Sequence, residues 1–495
     1  MRGTAIVAIA LALALGAVVA CSPDAPFDPD ASTSPMGSDA GVDPNDGAHS
    51  GARLKLTWYQ FTDGTKQFSG MYDAQNKEIC SPYYGTWTDG KAYCVPQPGG
   101  ELVYTNSTCT TKALHYYVPT VCPQPLAKYY LEYGTVGCTS VPAHLYLRGT
   151  QVSSATYYYK SSTGTCSTAY TSQSYDQFYN VGTQLPNSDL VELTLGTPEG
   201  AGRVGVRFYE SADGMKFPWE MHDSMLNAEC SAEYTSDVST VARCVPNDAR
   251  YAYYAHDAAC AQTELSLSNT CTAPAYAYTY PAAYCPDDYE TYYTLGAQQA
   301  SSPLYFPSGG SCLSTTAASG TNYYAVGGQI TPAPLTYAAD TGTAHRVQLI
   351  HYTTPEGTRF RDPYKLYDQQ MGTACYPTTL PDGTIRCVAS GSYIDTYYTT
   401  SACTTTIDVV EIYKGPATCA APVVPKYALK DIAPDPGTCT YGTEVHPITT
   451  PHTTAVYTGT PGSCSVYTPY ESVLYNVGAA VPLTDFVGAA QTMDN

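Results

Sequence analysis

The amino-acid sequence predicts an all-β body made of three tandem copies of one unit and braced by disulfides. The first observation is repetition. Arg-Leu-Lys-Leu-Thr-Trp-Tyr-Gln-Phe-Thr-Asp-Gly at 53–64 returns as Arg-Val-Gly-Val-Arg-Phe-Tyr-Glu-Ser-Ala-Asp-Gly at 203–214, and as Arg-Val-Gln-Leu-Ile-His-Tyr-Thr-Thr-Pro-Glu-Gly at 346–357. At about 145 residues, a copy is far longer than a common solenoid repeat. Composition is the second observation: 48 Tyr, 40 Gly and 37 Pro among 495 residues, with only 13% charged, favour strands and turns over helices.

Cysteine is the third. Of 19, Cys21 stands alone and eighteen fall six to a copy. They are Cys80, Cys94, Cys109, Cys122, Cys138 and Cys166; then Cys230, Cys244, Cys260, Cys271, Cys285 and Cys312; then Cys375, Cys387, Cys403, Cys419, Cys439 and Cys464. The first gap in each set is 14, 14 and 12 residues and the last is 28, 27 and 25. Such parity predicts three disulfides per copy, formed in an oxidising compartment. No Cys-x-x-Cys occurs, so a zinc site is not expected, and no cofactor is expected either. Six cysteines allow 15 pairings, and spacing does not choose among them.

Residues 1–20 place one basic residue before sixteen uncharged, mostly aliphatic ones, the pattern of a secretory signal and too short for a spanning helix. Val18-Val19-Ala20-Cys21 resembles the bacterial lipoprotein cleavage box. That resemblance implies lipidation of Cys21 and a partner in the membrane, with each buried methylene contributing ~0.8 kcal/mol. Ser22 after the cysteine implies the outer rather than the inner membrane. Residues 21–52 then carry Asp24, Asp28, Asp30, Asp39, Asp43 and Asp46 among Pro, Ser, Gly and Ala, which reads as a disordered acidic tether.

The copies are 53–202, 203–345 and 346–495. Leu54, Leu56 and Trp58 alternate with Lys55, Thr57 and Tyr59, which is the period of a half-buried strand; Val204, Val206 and Phe208 repeat it, as do Val347 and Leu349. Asp63-Gly64, Asp89-Gly90, Asp213-Gly214 and Asp382-Gly383 mark hairpin turns. The second half of a copy reads as further strands, for example 128–133, 144–152, 156–160 and 177–185. It carries a Tyr and a Gly before the sixth cysteine (Tyr159 and Gly164, Tyr305 and Gly310, Tyr457 and Gly462) and closes on Tyr-x-Val-Gly at 179–182, 324–327 and 475–478. Two antiparallel sheets of about four strands per copy make six, expected to stand radially as one six-bladed β-propeller. Three β-sandwich-like domains are the alternative.

The net charge of −20, from 23 basic and 43 acidic residues, with no basic stripe, excludes nucleic acid as a partner. No Gly-x-Ser-x-Gly elbow, P-loop, His-Glu-x-x-His or Gly-x-Gly-x-x-Gly occurs. Of nine His, only His446 and His452 recur at short range, in a Pro-rich stretch expected to be a surface loop. Asp73, Asp223 and Asp368, each seven residues before its copy's first cysteine, are the polar candidates. They are expected either to accept backbone N–H groups in a turn or, if they converge near an axis, to hold a cation. Tyrosine runs at 157–159, 253–254 and 397–398 offer packing between sheets or flat platforms for a glycan or protein ligand.

The body resembles cysteine-rich repeat lipoproteins of soil and predatory bacteria, which share Asp-Gly turns and Cys-Val-Pro steps like Cys94-Val-Pro96 and Cys244-Val-Pro246; the third copy departs with Cys387-Val-Ala389. This resemblance brings no activity with it. With no catalytic constellation legible, the expectation is a lipid-anchored protein of the cell envelope with a binding, adhesion or structural role. The alternative is a secreted propeller-type hydrolase whose active site is carried on loops.

Overall fold

The computed structural model describes residues 46–494 except 83–84, 119–124, 162–163, 235–240, 281–289, 301, 309–310, 341–343, 381, 416–418, 420–422 and 433–441. The signal segment, Cys21, the tether to residue 45, and Cys122, Cys285, Gly310 and Cys439 lie outside the described residues.

Strand alternation at the head of each copy produces a meander. In the first copy these strands are β1 (Leu54–Phe61), β2 (Lys66–Asp73), β3 (Glu78–Ser81) and β4 (Ala92–Pro96), followed much later by β5 (Val191–Leu195). The second contributes β6 (Val204–Ser211), β7 (Lys216–Asp223), β8 (Ala228–Tyr234), β9 (Val241–Pro246) and the late β10 (Ala333–Ala339). The third contributes β11 (Val347–Thr353), β12 (Arg359–Asp368), β13 (Thr373–Thr379), β14 (Ile385–Ala389) and the late β15 (Gly488–Met493). Gly64, Gly214 and Gly357 take φ of +100°, +95° and +93° at the first hairpin turn of each copy, a conformation that glycine adopts without steric cost.

Among the described residues, these fifteen strands form one closed hydrogen-bonded ring in chain order. The expected partition into six four-stranded blades is therefore not what the pairings show. A four-stranded meander alone leaves its fourth strand as an open edge. The late strand fills that edge and pairs onward with the first strand of the next copy. Val191 faces Cys94 while Leu195 faces Tyr209; Cys244 faces Ala333 while Thr336 faces Thr353; Arg386 faces Gly488 while Tyr59 faces Gln491. Fifteen antiparallel steps are an odd number, so the ring is not an up-and-down barrel. The first strand of each copy is bent by a bulge at the same place, after Thr57, Arg207 and Leu349.

Three equivalent cores lie under the meanders. Leu54, Met71, Cys80 and Cys94 are matched by Val204, Met221, Cys230 and Cys244, and by Val347, Leu366, Cys375 and Cys387, all buried. Full burial of one such aliphatic side chain contributes about 1.5–3 kcal/mol. Bridges Cys80–Cys94, Cys230–Cys244 and Cys375–Cys387 join the third strand to the fourth inside each core.

The copies also interlock cyclically through their hairpin tips. Asp213 Oδ2 accepts the backbone N–H groups of Arg53 (2.6 Å) and Leu54 (2.8 Å), so the tip of the second copy caps the start of the first. Asp63 Oδ2 accepts Val347 N–H at 2.6 Å, and Thr358 Oγ donates to Ala201 O at 2.9 Å, completing the circuit. Residues 46–52, assigned to the tether from sequence, are instead a strap seated on the ring. Ala48 joins the first core, His49 pairs with Lys216, and Ser50 Oγ accepts Leu56 N–H at 2.8 Å.

The second half of each copy builds an outer sheet: five strands in the first, eight in the second, seven in the third, with a further two-stranded pair in the first. These keep the one-per-copy separateness of the alternative sandwich reading. The closing Tyr-x-Val-Gly motif needs its glycine because a Cβ at Gly182, Gly327 or Gly478 would lie 2.5 Å from Leu147 O, 2.5 Å from Thr294 Oγ1 or 2.9 Å from Pro447 Cγ. Bridges Cys109–Cys166, Cys260–Cys312 and Cys403–Cys464 staple each sheet. They hold Cys109, Cys260 and Cys403 at φ of +49°, +53° and +52°, left-handed conformations disfavoured by roughly 1–2 kcal/mol per residue. The seventh bridge corrects the expectation of three disulfides confined to each copy: Cys138 of the first copy pairs with Cys271 of the second. Cys419 is also disulfide-bonded.

Candidate functional site

Asp73, Asp223 and Asp368 close the second strand of each meander and are buried there at 3%, 0% and 0% exposure. Each faces the arginine that opens its own copy. Arg53 Nε and Nη2 reach Asp73 at 2.8 and 2.6 Å, Arg203 reaches Asp223 at 2.8 and 2.6 Å, and Arg346 reaches Asp368 at 2.8 and 2.7 Å. The same carboxylates accept backbone N–H groups from the turn that follows, at 75 and 76, 225 and 226, and 370 and 371. Each guanidinium also donates to a carbonyl just ahead of the late strand: Asp189 O (2.6 Å), Thr331 O (3.0 Å) and Asp485 O (2.5 Å). The three aspartates thus serve as turn acceptors in a repeated clasp that ties the start of a copy to its end. Each is committed to an arginine of its own copy.

The copies differ on the face of the ring opposite that core. The second copy sets Arg207, Glu220, His222, Glu229 and Glu233 on one face of β6, β7 and β8, since Arg207 faces Glu220, His222 faces Glu229 and Glu233 faces Arg243. Equivalent positions hold Thr57, Gly70, Tyr72 and Ile79 in the first copy and Ile350, Lys365, Tyr367, Ala374 and Thr378 in the third, with no carboxylate. Glu229 pairs with Arg207 and lies 3.2 Å from His222 Nδ1. Burial, with Glu229 adding to it against Arg207, pushes the Glu220 carboxyl up to about 7.

Between this face and the outer sheet of the second copy lies a pocket of about 210 Å³ lined by Arg243, Val245, Glu290, Thr291, Tyr292, Gln329, Ile330 and Pro332. The Tyr292 hydroxyl donates to Glu233 Oε2 at 2.7 Å. Burial pushes the Glu233 carboxyl up to about 7; the Tyr292 hydroxyl opposes this, and the adjacent Glu290, in hydrogen-bond contact, adds to it. Burial and Glu233 together raise the Tyr292 phenol.

With the ring and this pocket described, the family model of a family of unknown function, DUF7481, matches residues 36–486. The chain belongs to that family. The DUF7481 match runs from within the tether to just before β15, so it takes in sequence from all three copies and not a single repeat. No curated protein and no solved structure matches the chain.

A second polar cluster sits where the strap meets the ring. His351 occupies the position of Trp58 and Phe208 and is 3% exposed. Its Nδ1 lies 3.0 Å from Asp340 Oδ1 and its Nε2 lies 3.2 Å from Asp46 Oδ2, while Arg359 holds Asp340 at 2.6 Å and Arg361 holds Asp46 at 2.5 Å. Burial pulls the His351 imidazolium down, but its hydrogen bonds to the Asp340 and Asp46 carboxylates outweigh it and hold it above its ordinary value. Burial likewise opposes ionisation of Asp46, and His351 and Arg361 outweigh that, keeping its carboxyl low. The cavity beside it, lined by Ala48, Trp58, Phe68, Phe217 and Phe360, is about 20 Å³, room for one water. The cluster is a clamp on the strap.

His446 lies on the strand Gly442–Pro451, not in a loop; its Nδ1 is 2.9 Å from Gly478 O, and His452 Nδ1 is 2.8 Å from Asn476 Oδ1. Among the described residues, no three His, Cys, Asp or Glu side chains are grouped to hold a metal. Tyrosines divide between packing and exposure. Tyr276, Tyr292 and Tyr323 are buried, whereas Tyr251 and Tyr280 stand out at the edge of the second outer sheet, with ring centroids 5.0 Å apart. Glu233, Arg243, Tyr292 and His351 were not singled out from the sequence. The signal available was their departure from the residue at the same place in the other copies.

Proposed function

We propose that this DUF7481 protein is a lipid-anchored binding protein of the cell envelope, and that its ligand seat is the pocket between the ring and the outer sheet of the second copy. The observation that carries this reading is a polar pocket of about 210 Å³ with Glu290 in its wall and Glu233 hydrogen-bonded to its Tyr292, beside a face on which carboxylates at 220, 229 and 233 occur in one copy of a three-copy scaffold. A scaffold that folds without carboxylates at two of three equivalent sites does not require them at the third. The volume is below the ~300 Å³ at which drug-sized ligand sites begin, and suits one sugar ring or one side chain of a larger ligand. Arg243, Glu290, Thr291, Tyr292 and Gln329 supply both donors and acceptors, and the exposed Tyr251 and Tyr280 give the same outer sheet a flat aromatic edge. Seven disulfides are in keeping with an extracytoplasmic address. Cys21 supplies the anchor in this reading, with the outer membrane as its destination.

A glycan array and a peptide array probed with the body from residue 46 onward test the binding reading. Arg243→Ala is expected to abolish retention of any ligand found, and failure of both arrays to retain the protein counts against it. Metabolic labelling with a palmitate analogue tests the anchor, because Cys21→Ser must lose the label. The Glu233–Glu290 contact favours a second reading, hydrolysis by a carboxyl pair with a near-neutral proton. Glycosidases keep their two carboxyl groups about 5–5.5 or 6.5–9.5 Å apart, so a touching pair is too close for that chemistry and binding is the better reading. Turnover in a panel of glycosides and esters, lost in Glu233→Gln, would reverse the order.

A further inference from the structure

The Cys138–Cys271 bridge differs from the other six in where its sulfurs stand. Cys138 is the one exposed cysteine among the fifteen described in the body, and its partner Cys271 is half-buried. The core bridges Cys80–Cys94, Cys230–Cys244 and Cys375–Cys387 are buried on both sides. The staples of the outer sheets join cysteines that are buried or half-buried.

The local fold explains the exposure. Cys138 sits in the two-residue turn between the strands Tyr129–Val136 and Thr139–Val152, and Gly137 makes that turn at φ of +61°. A bulge after Glu132 bends the hairpin, and Thr88 N–H donates to Pro142 O at 3.0 Å, which seats its base on the ring. Beyond that seat the hairpin stands out as an arm. Residues 135–140 are exposed in succession, and Tyr133 and Val136 keep 52% and 53% of their surface in solvent. Cys271 closes a second exposed turn, its N–H donating to Ser268 O at 2.9 Å. The bridge thus joins two turn tips from the first and second outer sheets, and among the described residues no strand ladder connects those sheets.

We propose that Cys138–Cys271 is a thiol-exchange site, and that its opening releases the arm 133–142 from the second copy. The reactant is a thiolate, from a small thiol or from the dithiol of a redox protein. Exchange rates depend on access to the sulfur, so the exposed Cys138 is the one attacked. A new bond forms between the incoming sulfur and Cys138, the bond to Cys271 breaks, and Cys271 leaves as a thiolate that takes up a proton. With a dithiol, the second thiol then displaces Cys138 and closes its own disulfide. The protein gains two electrons and two protons, and the dithiol loses them. Burial withholds the core bridges from this chemistry, so the ring stays closed while the arm is freed.

The native, fully oxidised protein is treated with limiting reduced glutathione in one arm of the test and limiting dithiothreitol in the other. Thiols are then labelled at acidic pH and mapped by peptide. Glutathione is expected to leave its adduct on Cys138 and label on Cys271, and dithiothreitol to leave label on both. Adduct or label appearing first at any cysteine of the six other bridges overturns the proposal. The release is read separately in the double variant Cys138→Ser with Cys271→Ser. Amide-exchange protection is expected to be lost at the pairs Gly134–Val141, Thr135–Ser140 and Val136–Thr139 and kept at Leu131 and Leu145. Equal protection of the three pairs with and without the bridge overturns the release.

Discussion

Replacing Asp368 with alanine tests the repeated clasp directly. The carboxylate has no solvent exposure, accepts Arg346 at 2.8 and 2.7 Å, and accepts the N–H groups of Gln370 and Met371 at 2.9 and 3.1 Å. Asp368→Ala leaves a guanidinium without its carboxylate and two turn N–H groups without an acceptor. Breaking a buried pair from one side costs about 3–5 kcal/mol, and the two N–H bonds to the carboxylate are within that figure. A body of about 450 residues has an unfolding entropy near 0.9 kcal/mol/K, so a cooperative melt shifts down by roughly 3–5 °C. Glu192→Ala is the control. It removes an exposed pair with Lys91, half-exposed on both sides, and is expected to move the midpoint by ~1 °C or less. Asp368→Asn keeps an acceptor for the turn and falls between the two. The assay is a scanning calorimetric melt with and without calcium. A variant midpoint within about 1 °C of the wild type refutes the clasp. A calcium-dependent rise in the wild type that Asp368→Ala abolishes would restore the cation reading in its place.

Three further outcomes are expected. Glu233, held near 7 when folded, keeps a proton that the unfolded chain (carboxyl near 4.3) has already lost. The folded state thus binds more protons between those values, stability falls as pH rises through about 4.5 to 7, and Glu233→Gln must flatten the difference between urea midpoints at pH 5 and pH 8. Asp46→Ala removes the carboxylate between His351 and Arg361, so amide exchange at His49 and Gly51 is expected to accelerate while β2 and β7 stay protected. If strap and ring exchange alike, the clamp is not local. In the chain-entropy model, removing Cys80–Cys94, with a loop of 14 residues, costs about 3 kcal/mol, and removing Cys109–Cys166, with a loop of 57, costs about 4. Chemical denaturation of the two double-serine variants checks the order.

What was legible in the sequence follows from what repetition can and cannot say. Alternation at 54–59, the Asp-Gly turns and the sixfold cysteine sets each describe a relation within a copy, and the first strands and their hairpins are where they were expected, while the pairing of the cysteines was left open. Which copy touches which is a relation between copies, and aligning the copies onto one another erases it. For that reason the late strands Val191–Leu195, Ala333–Ala339 and Gly488–Met493, each the shared edge between neighbours, were not singled out from the sequence. Cys138–Cys271 was hidden for the same reason. The aspartates at 73, 223 and 368 were found, yet their arginines at 53, 203 and 346 opened the same alignment and were read only as its first letters.

The departures from equivalence carry the functional argument. The ring needs its Arg–Asp clasp, its bulge and its capped hairpin tip in all three copies, because a closed circuit fails if any one step fails. Positions that obey the three-fold rule therefore report on folding. His351 breaks the rule, and its partners show why: the strap brings Asp46 to the third copy, where it takes a cationic partner, whereas Trp58 and Phe208 present an aromatic ring to Lys66 and Lys216. Glu220, Glu229 and Glu233 break it with no comparable structural return, since burial raises Glu220 and Glu233 toward neutrality and the folded state keeps them at a disadvantage above pH 7. A stabilising role predicts that neutral replacements weaken the body, whereas a ligand-binding role predicts that Glu233→Gln strengthens it above pH 7 and weakens only retention of the ligand. Melting and retention moving in opposite directions is the signature that separates a seat from a strut.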